Sequence, residues 1–428
     1  MPEYRVVTNK RSPCPPGITA FHIDTPANQT PLPGFVLQLR GWIVAESLPA
    51  KQIRLLDSTL SSPICVSPLN EARPDVGSAH QLPESAGPCG FHFYLNLLNL
   101  PPRAVVALQV EIADGEFVTF AELEIRRPVL QLSADSRRHP ILVNSLGRSG
   151  SSLLMRLFSL HSEILVRPPH PYESRLAKFY VNQLLQRYGE YLLGESDNPP
   201  GNLQAVNMHW LHQELGQDEC LFRQYGHEDF NGLARFVTEA IDRAYDRVLD
   251  QNTARQSVSR YYAEKSGSGH TARLMMELYP GGHEIFLVRD FRDMYCSMLQ
   301  FSRQRQSRDF GWQAGRESDY MEFVAGRVEQ FCRSFTSRVN TPRALRYEDL
   351  LTKPRQVLQE LFAEMGLMTA PESLATMIQV FDNRQDDHQT SSNAQASIGR
   401  WENELNREQR SQINGLMRQS LQTFGYPV

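Results

Sequence analysis

The sequence predicts an α/β protein with a central parallel sheet flanked by helices, preceded by a small all-β, sandwich-like domain. Two textures carry this prediction. Over the first ~130 residues, short apolar runs alternate with turn residues, as in hairpin-connected strands. Beyond residue 137, short apolar strands each lead into a long amphipathic stretch, and β alternating with α in this way implies a parallel sheet covered by helices. With 428 residues, two domains are the natural division. The polar stretch 126–140 separates residues 1–130 from residues 137–428.

In the first domain, 34–46, 51–58, 90–97, 104–113 and 116–125 read as strands. Asp114-Gly115 between the last two marks a tight hairpin. The Pro- and Gly-rich stretch 68–90 reads as a long loop. In the second domain, strand 140–145 passes through a glycine turn into a helix beginning near Ser151. Helical periodicity returns over 173–193, 231–250, 318–338, 354–366 and 402–422. Strand 284–290 feeds another helix, and 344–350 is a short strand with its exit.

Composition narrows the function. A net charge of −4 argues against a nucleic-acid partner, so any site for an anion must be built locally. Cys14, Cys65, Cys89, Cys220, Cys296 and Cys332 are scattered with no CxxC pair, which points to reduced thiols rather than a disulfide framework or zinc site. The N-terminus has no apolar core behind a basic start, and no window approaches ~18 apolar residues. The expectation is a cytoplasmic protein with no membrane span.

The sharpest motif is Asn144-Ser145-Leu146-Gly147-Arg148-Ser149-Gly150-Ser151-Ser152-Leu153-Leu154. A buried strand ends, a loop with two glycines follows, and a helix begins. Glycines bring backbone N–H groups close to a ligand, and the helix N-terminus adds unpaired N–H groups and partial positive charge. Arg148 and the hydroxyls of Ser149, Ser151 and Ser152 complete a candidate anion cradle. A Walker A loop needs Lys after its last glycine, and Gly150 is followed by two serines.

A second motif follows at Val288-Arg289-Asp290-Phe291-Arg292-Asp293, with Ser297 eight residues beyond Arg289. A strand-end Arg and a helical Ser facing the same way both suit one phosphate. With both motifs in view, the sequence resembles the sulfotransferase superfamily. The first motif resembles its 5′-phosphosulfate loop. The second resembles its 3′-phosphate motif, with Phe291 where proline is usual. Glu264-Lys265-Ser266, Arg346-Tyr347-Glu348-Asp349-Leu350 and Ser397-Ile398-Gly399-Arg400-Trp401 resemble further segments of the family. The resemblance covers roughly 137–428. It implies a P-loop-like fold and 3′-phosphoadenosine 5′-phosphosulfate (PAPS) as sulfuryl donor, with no metal.

It also implies roles. Gly147, Arg148, Ser149, Gly150, Ser151 and Ser152 would hold the 5′ side; Arg289 and Ser297 would grip the 3′-phosphate, with Arg400 closing over it. Lys265, then Arg148, are the candidates for stabilising the leaving oxygen. Glu173 is the candidate general base, by likeness to the tyrosyl-protein and glycan branches; its other reading is an ion pair with Arg175 or Lys178. Small-molecule branches use histidine, which keeps His161, His170 and His209 as alternatives. Arg292 is either a further phosphate ligand or a surface partner of Asp293. Arg303, Arg305 and Arg308 read as a solvated helix end or as a contact to an acidic acceptor.

The competing readings are a P-loop nucleotide kinase or NTPase, and a non-catalytic nucleotide-binding protein of the same fold. The first wants a Lys after Gly150 and a magnesium carboxylate, for which Asp290 is the candidate. The second wants Lys265 and Glu173 apart from the loop. The acceptor is expected to be a small molecule or a glycan. The strand-rich N-terminal domain, with Gly41-Trp42, resembles modules attached to glycan enzymes and is a candidate docking element for a partner or a saccharide.

Overall fold

The computed structural model describes residues 5–10, 14–27, 30–31, 35–46, 50–57, 64–83, 86–113, 115–127, 136–187, 230–250, 259–267, 269–305, 309–312, 316–338, 342–368, 370–382 and 395–428. The chain divides into two compact units, residues 1–132 with 180–237 and residues 133–179 with 238–428.

The first unit is built on β1 (Arg5–Lys10), β2 (Ile18–Thr25), β3 (Thr30–Pro31), β4 (Val36–Ala45), β5 (Gln52–Asp57), β6 (Cys65–Pro68), α1 (Pro74–Ala79), β7 (Gly90–Asn96), β8 (Arg103–Ala113) and β9 (Glu116–Arg126). They form two antiparallel sheets, ordered β3-β1-β9-β8-β5-β6 and β2-β4-β7. Strand side chains alternate between faces. Ile53 and Leu55 of β5 thus join Val106 and Leu108 of β8, and they meet Leu37, Leu39 and Phe91 of the other sheet in one apolar core. Gly115, at φ +78, turns the hairpin that pairs Ala113 with Glu116.

All five strands expected in this region are present, with ends close to those read from the sequence. The loop expected over 68–90 needs correction: it contains α1, which Pro74 opens at a position where its missing N–H costs nothing. β2 escaped the sequence reading because its pairing with β4 is interrupted by two register shifts, which blur the alternation.

The second unit contains β10 (His139–Asn144), α2 (Ser151–Ser159), β11 (Ile164–Val166), α3 (Leu176–Arg187), α4 (Phe230–Asp250), β12 (Tyr261–Ser266), α5 (His270–Leu278), β13 (His283–Val288), α6 (Phe291–Arg305), α7 (Glu317–Thr336), β14 (Arg343–Arg346), α8 (Tyr347–Thr352), α9 (Pro354–Glu364), α10 (Pro371–Asp382), α11 (Trp401–Glu404) and α12 (Arg407–Thr423). α3 and α4 run on into residues of the first unit. The five strands are all parallel, in the order β11-β12-β10-β13-β14.

Period-two alternation builds a core on each face of this sheet. Ile285 and Leu287 of β13 pack with Leu154, Leu345, Leu358 and Leu361 on one face. Phe286 and Val288 pack with Tyr295, Val324, Ile413 and Met417 on the other. A strand with two buried faces reads as a continuous apolar run, which is why β10 and β13 were legible. The helix expected over 402–422 is two helices. Asn406 breaks it: its side chain accepts the Gln409 N–H at 2.9 Å, and Gln409 returns the bond to Asn406 N at 3.0 Å, a reciprocal cap that starts α12.

Candidate active site

In an open parallel sheet, ligands lie beyond the carboxyl ends of the strands, where successive connections leave in opposite directions. β10 is that strand here, with β12 on one side and β13 on the other. The register pairs Val143 with Lys265, and Asn144 with both Ser266 and Phe286. Three segments far apart in sequence therefore end side by side: the 145–150 loop, the end of β12, and Arg289 just past β13.

The loop turns on two left-handed residues, Arg148 at φ +66 and Gly150 at φ +90. Gly150 is the residue before α2, and a Cβ there would strike the Tyr347 ring; one at Gly147 would strike Phe310. Ser151 is the first residue of α2. Ser149 is buried, with its hydroxyl directed to Met294 Sδ at 3.6 Å, so its oxygen is turned into the α6 packing. Ser152 Oγ accepts from Lys265 Nζ at 2.8 Å.

Arg289 ties the two motifs together. Its Nη1 donates to Arg148 O at 2.9 Å and its Nη2 to Ser397 O at 2.6 Å, and its guanidinium lies over the Tyr347 ring. Arg148 Nε donates to Ser297 Oγ at 3.2 Å, and its guanidinium rests on Phe301. Arg148, Arg289 and Ser297 are thus one connected group. Arg400 is buried, its guanidinium held by Glu404 and Gln300. Its segment is docked on α6: Asp293 accepts the Gly399 N–H at 2.8 Å and the Trp401 N–H at 3.0 Å.

Lys265 and Glu173 are brought together. Lys265 is buried, and its Nζ donates to Glu173 Oε1 at 2.6 Å. The other Glu173 oxygen is 3.5 Å from Arg175. The backbone N–H of Lys178 donates to Glu264.

Two expectations are corrected. Arg292 is neither a surface residue nor a partner of Asp293. It is buried, donates from Nε and Nη2 to the two oxygens of Asp290, and lies over Trp401. A guanidinium at that depth needs a carboxylate partner, and Asp290 supplies it with both oxygens. Asp290, the magnesium candidate of the kinase reading, is thereby engaged by its neighbour. His161 is also buried, its Nδ1 accepting the Glu163 N–H at 3.2 Å and its ring against Phe362. His170 is exposed, edge-on to Tyr172. His209 and Arg308 lie outside the described residues. Arg303 and Arg305 are exposed at the end of α6, with Arg305 over Phe301.

Two acids were given no role in the chemistry from sequence. Burial pushes the Asp293 carboxyl up to about 6. Glu264, fully buried beside Lys265, is likewise raised by burial, although Tyr245 and the amides of Ala177 and Lys178 bond to it. A carboxylate directly after Tyr261-Tyr262-Ala263, within the predominantly buried strand, was the available signal for Glu264.

No curated protein matches the sequence. Similar solved structures include the sulfotransferase domain from the Synechococcus PCC 7002 olefin synthase, 19% identical, covering 70% of this chain and 98% of that one at a TM-score of 0.40. The sulfotransferase domain from the Curacin biosynthetic pathway is also 19% identical, covering 68% and 99% at 0.38. Mouse sulfotransferase SULT7A1 complexed with PAP is 12% identical, covering 67% and 85% at 0.37. The sequence model of the sulfotransferase family matches residues 140–371, which run from β10 and its glycine loop through Glu173, Lys265, Arg289 and Ser297, and the chain belongs to that family.

Proposed function

We propose that the chain transfers a sulfuryl group from PAPS to a hydroxyl or amine of an acceptor by in-line displacement. The observation that carries this reading is the placement of a buried lysine and a half-exposed glutamate, 2.6 Å apart, beside a glycine loop whose arginine is linked to a strand-end arginine and a helical serine.

The residues fit such a donor. Arg289 Nε is buried with no hydrogen-bond partner among the described residues, a donor suited to an anion. Gly147 and Gly150 stand where any side chain would collide with Phe310 or Tyr347. In this reading Gly147, Arg148, Gly150, Ser151 and Ser152 hold the 5′ side, with Ser149 supplying its backbone N–H. Arg289 and Ser297 hold the 3′-phosphate, and the Ser397–Trp401 segment with Arg400 covers it.

When bound, PAPS supplies a sulfuryl group already attached to a phosphate leaving group. Glu173 takes the acceptor's proton at a carboxylate oxygen. Lys265 Nζ donates to the oxygen that gains charge as the bond to sulfur breaks, helped by Arg148 and the N-terminus of α2. Neither residue needs a metal for these roles. The division into an accessory module (1–130) and a transferase module (137–428), a glycan or small-molecule acceptor, cytoplasmic location, and a docking role for the first module belong to the same reading.

The test is calorimetric titration with adenosine 3′,5′-bisphosphate, beside ATP with and without magnesium. Tight bisphosphate binding with little response to ATP supports the donor assignment. Preference for ATP, or binding only with magnesium, would favour the nucleotide kinase reading.

A further inference from the structure

β12 presents two adjacent charged side chains to one short segment of chain. Neighbouring residues of a strand point to opposite faces. Glu264 and Lys265 therefore leave β12 on opposite sides, yet both end on residues 173–178. Lys265 Nζ donates to Glu173 Oε1 at 2.6 Å. Glu264 Oε1 accepts the Ala177 N–H at 2.7 Å, and Oε2 accepts the Lys178 N–H at 3.4 Å. Tyr245 OH, from α4, donates to Glu264 Oε1 at 2.6 Å.

Glu264 is 1% exposed, and so is Tyr245. Burying a carboxyl among tyrosines is unfavourable unless donors satisfy it. Those donors are the Tyr245 hydroxyl and the first amides of α3. The first N–H groups of any helix have no partner within it and carry its positive end. Glu264 thus caps α3 from another element, and the cap fixes where the helix begins. Glu173 lies just ahead of that start, with only Ser174 and Arg175 between it and Leu176.

We infer that Glu264 is a positioning residue, which holds the start of α3 so that Glu173 meets Lys265. It touches no reacting atom. The inference rests on the reading of Glu173 as general base for its functional consequence, but the positioning itself is measurable without turnover.

The experiment uses the full chain as wild type, Glu264→Ala and Glu264→Gln. Lys265 is acetylated with acetic anhydride and quantified by mass spectrometry, and hydrogen exchange is followed over 173–178. Transfer from labelled PAPS uses 2-naphthol, whose hydroxyl is un-ionised at neutral pH, as the probe acceptor, and adenosine 3′,5′-bisphosphate affinity is measured alongside. In the Ala variant, Lys265 labelling is expected to rise at least ~5-fold and exchange over 173–178 at least ~10-fold. kcat is expected to fall at least ~10-fold, with bisphosphate affinity within ~2-fold of wild type. Glutamine keeps one accepting oxygen for Tyr245 and Ala177, and should restore most of each change. A purely structural role would instead speed exchange equally in β10 and β13 and lower bisphosphate affinity in step. That pattern, or wild-type labelling and exchange in a folded Ala variant, would overturn the inference. Should Glu264→Ala not fold, Glu264→Asp, which withdraws the carboxylate from the amides by one methylene, carries the same test. Increased labelling with unchanged kcat would uphold the positioning and remove Glu173 as the base.

Discussion

Lys265 Nζ lies 2.6 Å from Glu173 Oε1, and the two ends of this pair sit in opposite surroundings, the lysine side chain 6% exposed and the glutamate 55%. The cation is anchored in the sheet, and the carboxylate it holds still faces outward. A base needs that combination: a fixed position and an open side from which an acceptor can approach.

Removing either partner should therefore damage chemistry more than nucleotide binding. Glu173→Ala and Lys265→Ala are each expected to lower kcat by about 10²–10⁴-fold, while the Kd for adenosine 3′,5′-bisphosphate changes by less than about 3-fold. Because the two residues act on each other, the double variant should lose less than the product of the single losses. Transfer from labelled PAPS measures the first quantity and calorimetry the second. Wild-type turnover in either variant would remove that residue from the mechanism.

The 3′ side should behave in the opposite way. Arg289 spans Arg148 O and Ser397 O with one planar fork. Arg289→Ala is expected to raise the bisphosphate Kd by about 10–100-fold, and Arg289→Lys should recover little, since an ammonium cannot reproduce the fork. Ser297→Ala, which removes one hydroxyl, should cost about 3–10-fold. An unchanged Kd in both alanine variants would sink the 3′-phosphate assignment.

Much of this site was legible because its motifs sit at strand-to-helix junctions, where apolar runs, glycines and helix starts mark the backbone path. Gly147 to Ser152 and Arg289 to Ser297 are such junctions. The pairing of Lys265 with Glu173 was not legible, because it depends on the register of β12 against β10 and on where α3 begins. Arg292 was misread for the same kind of reason. A charged residue after a strand looks solvated in sequence, and only the packing of Trp401 against it shows that it is buried. The break at Asn406 has a sequence signature, Asn three residues before Gln, which amphipathic periodicity on both sides conceals.

Two glycines give contrasting predictions. Gly150→Ala combines a left-handed φ with a collision against Tyr347. It should destabilise the fold by about 1–3 kcal/mol and weaken bisphosphate binding, as read by urea unfolding and calorimetry. Gly326 lies within α7, exposed, and a Cβ there meets nothing within 4 Å. Gly326→Ala should stabilise by about 0.5–1 kcal/mol and leave binding alone. Similar behaviour of the two variants would mean that the loop tolerates a side chain and that the proposed cradle is wrong.

Asp293 gives a pH prediction with an unusual sign. It accepts from Gly399 N and Trp401 N, but burial outweighs these bonds and pushes its carboxyl up to about 6. The ordinary aspartate value is about 3.9, so between about pH 4 and 6 the native state binds more proton than the unfolded chain. Stability from this group therefore falls as pH rises through that window, by about 3 kcal/mol once pH exceeds 6. Asp293→Asn removes the titration and keeps one accepting oxygen; the loss of the other is independent of pH. The variant's unfolding free energy, relative to wild type, should therefore improve by about 2 kcal/mol between pH 4 and pH 7. Urea unfolding at several pH values across that range measures it. Parallel curves for the two proteins would show that Asp293 titrates in the folded state as it does in the unfolded chain, and that the backbone amides of Gly399 and Trp401 offset its burial in full.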